Sequence, residues 1–166
     1  GKSICYQVPA LCCEGICLVV SPLIALMKDQ VQNLQKRGIP SAAIYSGMSR
    51  REIDIIFENA ANGAYKLLYL SPERLRTDLA LARIQRMNVN LLAVDEAHCV
   101  SQWGYDFRPP YLQIADLRPQ LPGVPILALT ATATSEVLAD IQEKLAFRKK
   151  NILRQSFARP NLSYSV

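Results

Sequence analysis

Two short stretches hold the side chains best suited to chemistry. Asp95 and Glu96 sit side by side directly after the apolar run Leu91–Val94, and Gly1-Lys2-Ser3 opens the chain. Ionised carboxylates are costly to bury unless they are paired or bind metal, so this acidic pair is expected where a buried strand emerges from its sheet. There an aspartate can hold Mg2+, and an adjacent glutamate can orient and deprotonate a water. A strand ending in a solvated acidic turn fits the same residues equally well. Gly-Lys-Ser is the closing half of the phosphate-binding pattern G-x-x-x-x-G-K-[ST]. In that pattern helix N-terminal N–H groups cradle phosphate, Lys reaches the β- and γ-phosphates, and Ser binds Mg2+. The tripeptide is weak alone, but together with Asp-Glu after an apolar strand it points to a nucleotide site.

Two further stretches carry polar or aromatic groups in useful places. Val100 to Tyr111 contains the single tryptophan, Trp103, with Gln102, Tyr105, Phe107 and Arg108, and is broken by Gly104, Pro109 and Pro110. Aromatics interleaved with Arg on a loop suit stacking on exposed bases; a loop pinned to the core by its aromatics is the equal alternative. Thr130, Thr132 and Thr134 follow an apolar run, where hydroxyls contact phosphate or the central acids, or cap a helix.

Alternating strands and helices must position these groups. Ile16–Val20 is an unbroken apolar run of the kind buried on both faces of a parallel sheet, stopped by Ser21-Pro22. Leu23, Leu26, Met27, Val31 and Leu34 then recur at helical spacing with Gly38 beyond, and that stripe is read as core. Ala42–Tyr45 is a strand and Ser46-Gly47 a turn; Ser49 with Glu52 forms a capping box opening a helix to about Asn62. Lys66–Leu70 is another strand, and Ser71-Pro72-Glu73 reads as a helix start with Ser71 as its cap. Ile126–Leu129 is the last strong strand, followed by a helix from about Ser135 to Phe147. Crossovers of this length imply a parallel sheet. The expected fold is α/β, a mostly parallel sheet with helices on both faces. Residues 1–150 form the lobe; 151–166 are a linker and the start of something further.

Composition narrows the classes. Lys and Arg outnumber Asp and Glu by 19 to 14, a surplus that permits a polyanionic partner without establishing one. No apolar run approaches a membrane span, so a membrane partner is not expected. Cys5, Cys12, Cys13, Cys17 and Cys99 include no C-x-x-C pair. They read as small core side chains of a reduced, intracellular protein, with no zinc site in this segment.

The segments GKSICYQ (1–7), SPLIALMKDQV (21–31), YLSPERL (69–75), DEAHCVSQWGYDFRPPY (95–111), LTATAT (129–134) and SFARPNLSY (156–164) resemble, in order, the motifs of the first RecA-like lobe of a RecQ-family DNA helicase. DEAH alone suits several helicase families; DEAHC-x-SQWG-x-DFRP is the specific part. The resemblance implies a three-layer P-loop NTPase lobe that uses ATP and Mg2+. The activity it implies is 3′-to-5′ translocation on single-stranded DNA and unwinding of partly duplex DNA, in repair and recombination.

It also implies roles for individual residues. Gly1, Lys2 and Ser3 would hold phosphate, with Ser3 and Asp95 serving Mg2+ and Glu96 activating the attacking water. His98 and Gln102 would connect the nucleotide site to an aromatic loop, formed by Trp103, Tyr105, Phe107 and Arg108, that senses single-stranded DNA. Ser21, Pro22, Ser71 and Arg74 would line the DNA path, and Thr130 and Thr132 would link hydrolysis to lobe movement. Position 105, often His in the family, is Tyr here. The family's adenine-recognising segment is expected before residue 1. A second RecA-like lobe bearing an arginine finger is expected to begin within 151–166, so residues 1–166 alone should hydrolyse ATP negligibly. Localisation follows as nucleoid-associated in a bacterial cytoplasm or nuclear in a eukaryote. A DEAH-type RNA helicase lobe and a non-catalytic nucleic-acid-binding module are the rival readings.

Overall fold

The computed structural model describes residues 1–154, apart from the side chain of Arg76; the SFARPNLSY segment and most of the expected start of a second lobe lie outside the described residues. Five parallel strands form one sheet in the order β2-β3-β1-β4-β5. They are β1 (Ile16–Val20), β2 (Ser41–Ile44), β3 (Leu67–Leu70), β4 (Val89–Val94) and β5 (Ile126–Ala128). Helices α1 (Ile4–Cys12), α2 (Ile24–Lys36), α3 (Arg50–Ala61), α4 (Asp78–Gln85) and α5 (Ser135–Lys144) supply the outer layers, with 3-10 segments at Pro72–Arg76, Ala97–Val100 and Pro109–Leu117. The expected α/β fold with a parallel sheet is borne out.

Pleating divides the strand residues between two cores. Cys17, Val19, Leu67, Tyr69, Leu91 and Ala93 face α1 and α2, meeting Tyr6, Ala10, Met27 and Leu34. Leu18, Val20, Leu68, Leu70, Leu92 and Val94 face the other way, meeting Phe57 of α3, Ile84 of α4, Ile141 of α5, and Tyr111 and Ile114 between β4 and β5. Burial on both faces is why these strands read as continuous apolar runs rather than alternating ones. Among the described residues no helix is long and apolar enough to cross a membrane.

The register sets up the site. Ile44, Leu70, Val20, Val94 and Ala128 lie in one row across the sheet. Ser71, Ser21 and Asp95, each the next residue along its strand, therefore emerge together at the carboxyl edge, where ligands of open α/β sheets bind.

Local signals mostly hold. The Ser49–Glu52 capping box is present in full, and Thr134 caps α5 by accepting from the Val137 N–H. Three expectations need correction. Ser71 makes no capping bond: its buried hydroxyl has no hydrogen-bond partner, the chain after it forms a 3-10 segment, and Thr77 caps α4 instead. Leu23 is 47 % exposed, because the helix begins one residue later and turns that side chain off the core stripe. Of the cysteines only Cys17 and Cys99 are core; Cys5, Cys12 and Cys13 are exposed. The reason is that α1 buries only the side bearing Tyr6, Gln7 and Ala10, leaving Ile4, Val8 and Leu11 outward as well.

Candidate nucleotide site and its link to an aromatic loop

Asp95 begins where β4 leaves the sheet. Its N–H donates to the Val20 carbonyl at 2.8 Å, and the Tyr111 hydroxyl donates to its carbonyl at 2.9 Å. Glu96 follows in the left-handed region, φ 46°, a conformation costing about 1–2 kcal/mol for a residue with a side chain. It is held there from both sides: the Glu96 N–H donates to Asp95 Oδ1 at 3.0 Å, and the Ala97 N–H donates to the Leu129 carbonyl at 2.9 Å. Strain over-determined by its surroundings is characteristic of functional turns. The turn aims both carboxylates at the start of α1. Lys2 Nζ donates to Glu96 Oε1 at 2.5 Å and lies 3.9 Å from Asp95 Oδ1.

Gly1, Lys2, Ser3, Ser21, Asp95 and Glu96 line one cavity of about 190 Å3. Ser21 thus sits with the candidate nucleotide groups, and its buried hydroxyl has no hydrogen-bond partner. Tyr6, Gln30 and Tyr69 also line the cavity and belong to a polar chain: Gln7 Nε2 donates to Gln30 Oε1 at 2.9 Å and lies 3.5 Å from the Tyr69 hydroxyl, which is 3.3 Å from that of Tyr6. Sequence reading passed over these four residues. Tyr69 in an apolar strand and Gln7 on the buried side of α1 were the available signals, because a polar group there needs a partner.

Burial holds the Asp95 carboxyl above its ordinary pKa, and the Lys2 ammonium partly offsets this. The fold therefore favours protonated Asp95. That contribution is fully present below the ordinary carboxylate pKa and is lost as pH rises through the raised folded value. Asp95→Asn, which keeps the shape and removes the buried charge, should melt higher than the parent at neutral pH and show a smaller fall in stability from pH 4 to 7. The expected rise is roughly 2–4 °C for each kcal/mol relieved, read by thermal melts across pH. A lower melting temperature at pH 7 would mean the carboxylate is a net stabiliser.

His98, buried immediately beyond, links this site to the loop. Its Nδ1 lies 3.0 Å from Thr130 Oγ1 and 3.4 Å from Glu96 Oε2. Its ring stacks on Tyr105, with centroids 4.6 Å apart and planes at 20°. The loop is fastened at its base. The Arg108 N–H donates to the Cys99 carbonyl at 2.9 Å, and the Arg108 guanidinium donates to Asp106 Oδ2 from Nε at 3.1 Å and Nη2 at 3.0 Å. Gly104 packs so tightly that a Cβ there would stand 2.6 Å from the His98 carbonyl oxygen.

His98, Cys99 and Asp106 bring ligand-type atoms within 4.8 Å of one another. Arg108 already occupies the Asp106 carboxylate, however, and holds it below the usual range. Burial first, then Asp106, pushes the Cys99 thiol up to about 11, so it stays protonated. The cluster is a fastening rather than a metal centre.

At the crest, Trp103 and Tyr105 are 79 % and 77 % exposed, while Gln102 is exposed and Phe107 half-buried. Tyr111 pins this stretch to the core, as one alternative has it, while Trp103 and Tyr105 face outward instead of packing into the core. The threonines divide likewise: Thr130 reaches His98 and accepts from the Thr132 N–H at 3.3 Å, and Thr134 caps α5. Arg74 stands apart from the loop, its Nε donating to the Tyr45 carbonyl at 3.3 Å; Ser71 shares the carboxyl edge with Ser21, and Pro22 is half-buried.

A parallel sheet whose carboxyl edge sets a Lys-Ser helix start against an Asp-Glu pair has the layout of a P-loop-type nucleotide lobe. Residues 1–141 match the DEAD/DEAH box helicase family, and the chain belongs to it. Over its whole length it is 50 % identical, across 167 residues, to the ATP-dependent DNA helicase RecQ of Bacillus subtilis (strain 168). It is 41 % identical, across 173 residues, to the ATP-dependent DNA helicase Q1 of Rattus norvegicus. The chain spans 28 % of each of these curated relatives. The motif resemblance to RecQ helicases is borne out. The Pyrococcus furiosus Hef helicase domain shares the fold, with a TM-score of 0.64 at 20 % identity over 89 % of this chain and 31 % of that one.

Proposed function

We propose that residues 1–150 are the first ATP-binding lobe of an ATP-dependent DNA helicase of the RecQ type, and that residues 151–166 lead into a second RecA-like lobe. The observation that carries this reading is the continuous path from Lys2 through Glu96 and His98 to Tyr105. It joins a phosphate-type cavity to an exposed aromatic loop in a chain half identical to a RecQ helicase.

With ATP in the cavity, the Lys2 ammonium moves onto phosphate oxygen. Glu96 is released from its ion pair to take a proton from the attacking water. Ser3 makes no capping bond and shares the cavity with Asp95; hydroxyl and carboxylate are the hard oxygen donors that suit Mg2+. Mg2+ bound there would neutralise charge on the phosphates. Arg74 and the aromatic loop contact single-stranded DNA, while Ser71, buried at the carboxyl edge, lies beneath that path rather than touching it. Thr130 and Thr132 relay the state of the nucleotide site toward the second lobe, which supplies an arginine finger. The protein works on single-stranded and partly duplex DNA in repair and recombination, in a bacterial cytoplasm or a eukaryotic nucleus.

The test is ATP hydrolysis by the full-length protein with no nucleic acid, with single-stranded DNA and with RNA, alongside displacement of a strand from a 3′-tailed duplex. DNA-stimulated hydrolysis and displacement are expected. Stimulation by RNA alone would make it an RNA helicase, and no hydrolysis under any condition would make it a binding module.

Trp103→Ala and Phe107→Ala should each weaken single-stranded DNA binding by about 1–3 kcal/mol per lost stack, while hydrolysis without DNA changes little. Fluorescence anisotropy with a labelled oligonucleotide reads the loss. Parent-like binding and stimulation in both variants would show that the aromatics only pack the loop.

A further inference from the structure

Helix α1 places Gly1, Lys2 and Ser3 at the cavity, yet it is poorly equipped to hold itself in place. It has nine residues and carries Pro9 inside, so it lacks one internal N–H donor and falls short of the length at which helices persist unaided. Ser3 makes no capping bond, and the helix has no acid in its first turn and no base in its last. Its own termini therefore contribute none of the usual stabilisation.

The missing support comes from β4 and the residue before β3. Asn90 is the one polar side chain in the run Val89–Val94. Its Nδ2 lies within hydrogen-bonding distance of three carbonyls at the end of α1: Ala10 at 3.3 Å, Cys13 at 3.4 Å and Glu14 at 3.1 Å. Lys66 Nζ donates to the Cys13 carbonyl at 3.2 Å. An amide donor and an ammonium thus meet the unpaired carbonyls and negative dipole end of the helix. Asn90 Oδ1 is buried without a partner. Turning the amide over would set that oxygen against three carbonyl oxygens, so the orientation is fixed by its surroundings. The corner beyond is equally tight: a Cβ on Gly15 would stand 2.1 Å from the Asn88 carbonyl oxygen, which accepts the Ile16 N–H at 2.9 Å. A helix of nine residues is a rod of about 13 Å, so a slip at this end reaches Lys2 and Ser3 directly.

We propose that Asn90, with Lys66, is a positioning residue for nucleotide binding: it fixes the far end of α1 so that Gly1, Lys2 and Ser3 are held in register with Asp95 and Glu96. This rests on the nucleotide reading of the cavity. β4 thereby holds the helix at both ends, through Asn90 at one and the Asp95-Glu96 turn at the other.

The test uses the full-length protein and compares Asn90→Leu, Asn90→Asp and Lys66→Met, with Lys66→Arg as the conservative variant and Lys2→Ala as the control. KM for ATP and the Kd of a fluorescent ATP analogue should rise roughly 5–30-fold in both Asn90 variants, matching the loss of one or two hydrogen bonds. The rise should be larger for Asp, whose oxygens face the carbonyls. Lys66→Met should give a smaller rise that Lys66→Arg restores. The kcat at saturating ATP should hold, because nucleotide re-seats the helix. A merely structural role does the reverse, lowering kcat with the folded fraction at unchanged KM, and that result overturns the proposal, as does parent behaviour in every variant. If the parent binds the analogue and Lys2→Ala does not, such a failure belongs to this proposal alone. If the parent itself does not bind, the nucleotide reading falls with it.

Discussion

Glu96→Gln in the full-length protein should abolish steady-state ATP hydrolysis while ATP still binds. The substitution keeps the volume and hydrogen-bonding reach of the side chain but removes its capacity to accept a proton, and a positioned general base contributes about 10²–10⁴-fold. The fall in kcat should lie in that range, with Kd for nucleotide unchanged or tighter. A tighter Kd has a structural reason: Lys2 pairs with Glu96 at 2.5 Å in this structure, and phosphate must compete for that ammonium. A neutral amide releases Lys2. Rapid-mixing hydrolysis assays beside equilibrium binding separate the two effects. A variant that turns over ATP at the parent rate would remove Glu96 from the chemistry and leave Lys2–Glu96 as an ordinary ion pair.

Tyr105→Ala should uncouple DNA from hydrolysis. Tyr105 carries one side of the ring stack that ends at His98, and His98 in turn touches Glu96 and Thr130. Without the ring, DNA on the loop has no packed route to the general base, so stimulation should fall by most of its value while basal hydrolysis persists. Tyr105→Phe should keep the stack and most of the stimulation. Tyr105→His, which supplies the more common family residue, should also retain it. Profiles from about pH 6 to 9 are needed for that variant, because histidine titrates near neutrality and can add a pH dependence of its own. If Tyr105→Ala matches the parent at every pH, position 105 is a bystander.

The architecture was legible because its causes are local. Doubly buried strands announce themselves as apolar runs, and Ser49–Glu52 and Thr134 name their own helix starts. The central acids could be placed from the cost of burying charge. What the sequence withheld depends on which side of an element meets a neighbour. Cys5 and Cys12 lie among apolar residues, but α1 presents only one side to the sheet, and nothing local marks which. Ser71 has the type and spacing of a cap, yet the chain after it tightens into a 3-10 segment. Asn90 and Tyr69 acquire meaning only from partners 76 or more and 62 or more positions away. The His98–Tyr105 stack needed the three-dimensional loop, although both residues stood in the motif.

The fastened base of the aromatic loop has a thermodynamic corollary. Arg108, Asp106 and Cys99 close the loop, and Gly104 seats its crest against His98, before any strand arrives. Because the loop is preorganised, engagement should require little ordering of the chain, and rigidity of this kind lowers the entropic cost of association. Calorimetry with a short oligonucleotide should then show a heat-capacity change no larger than the stacked area accounts for. The large negative excess that marks a segment folding as it binds should be missing.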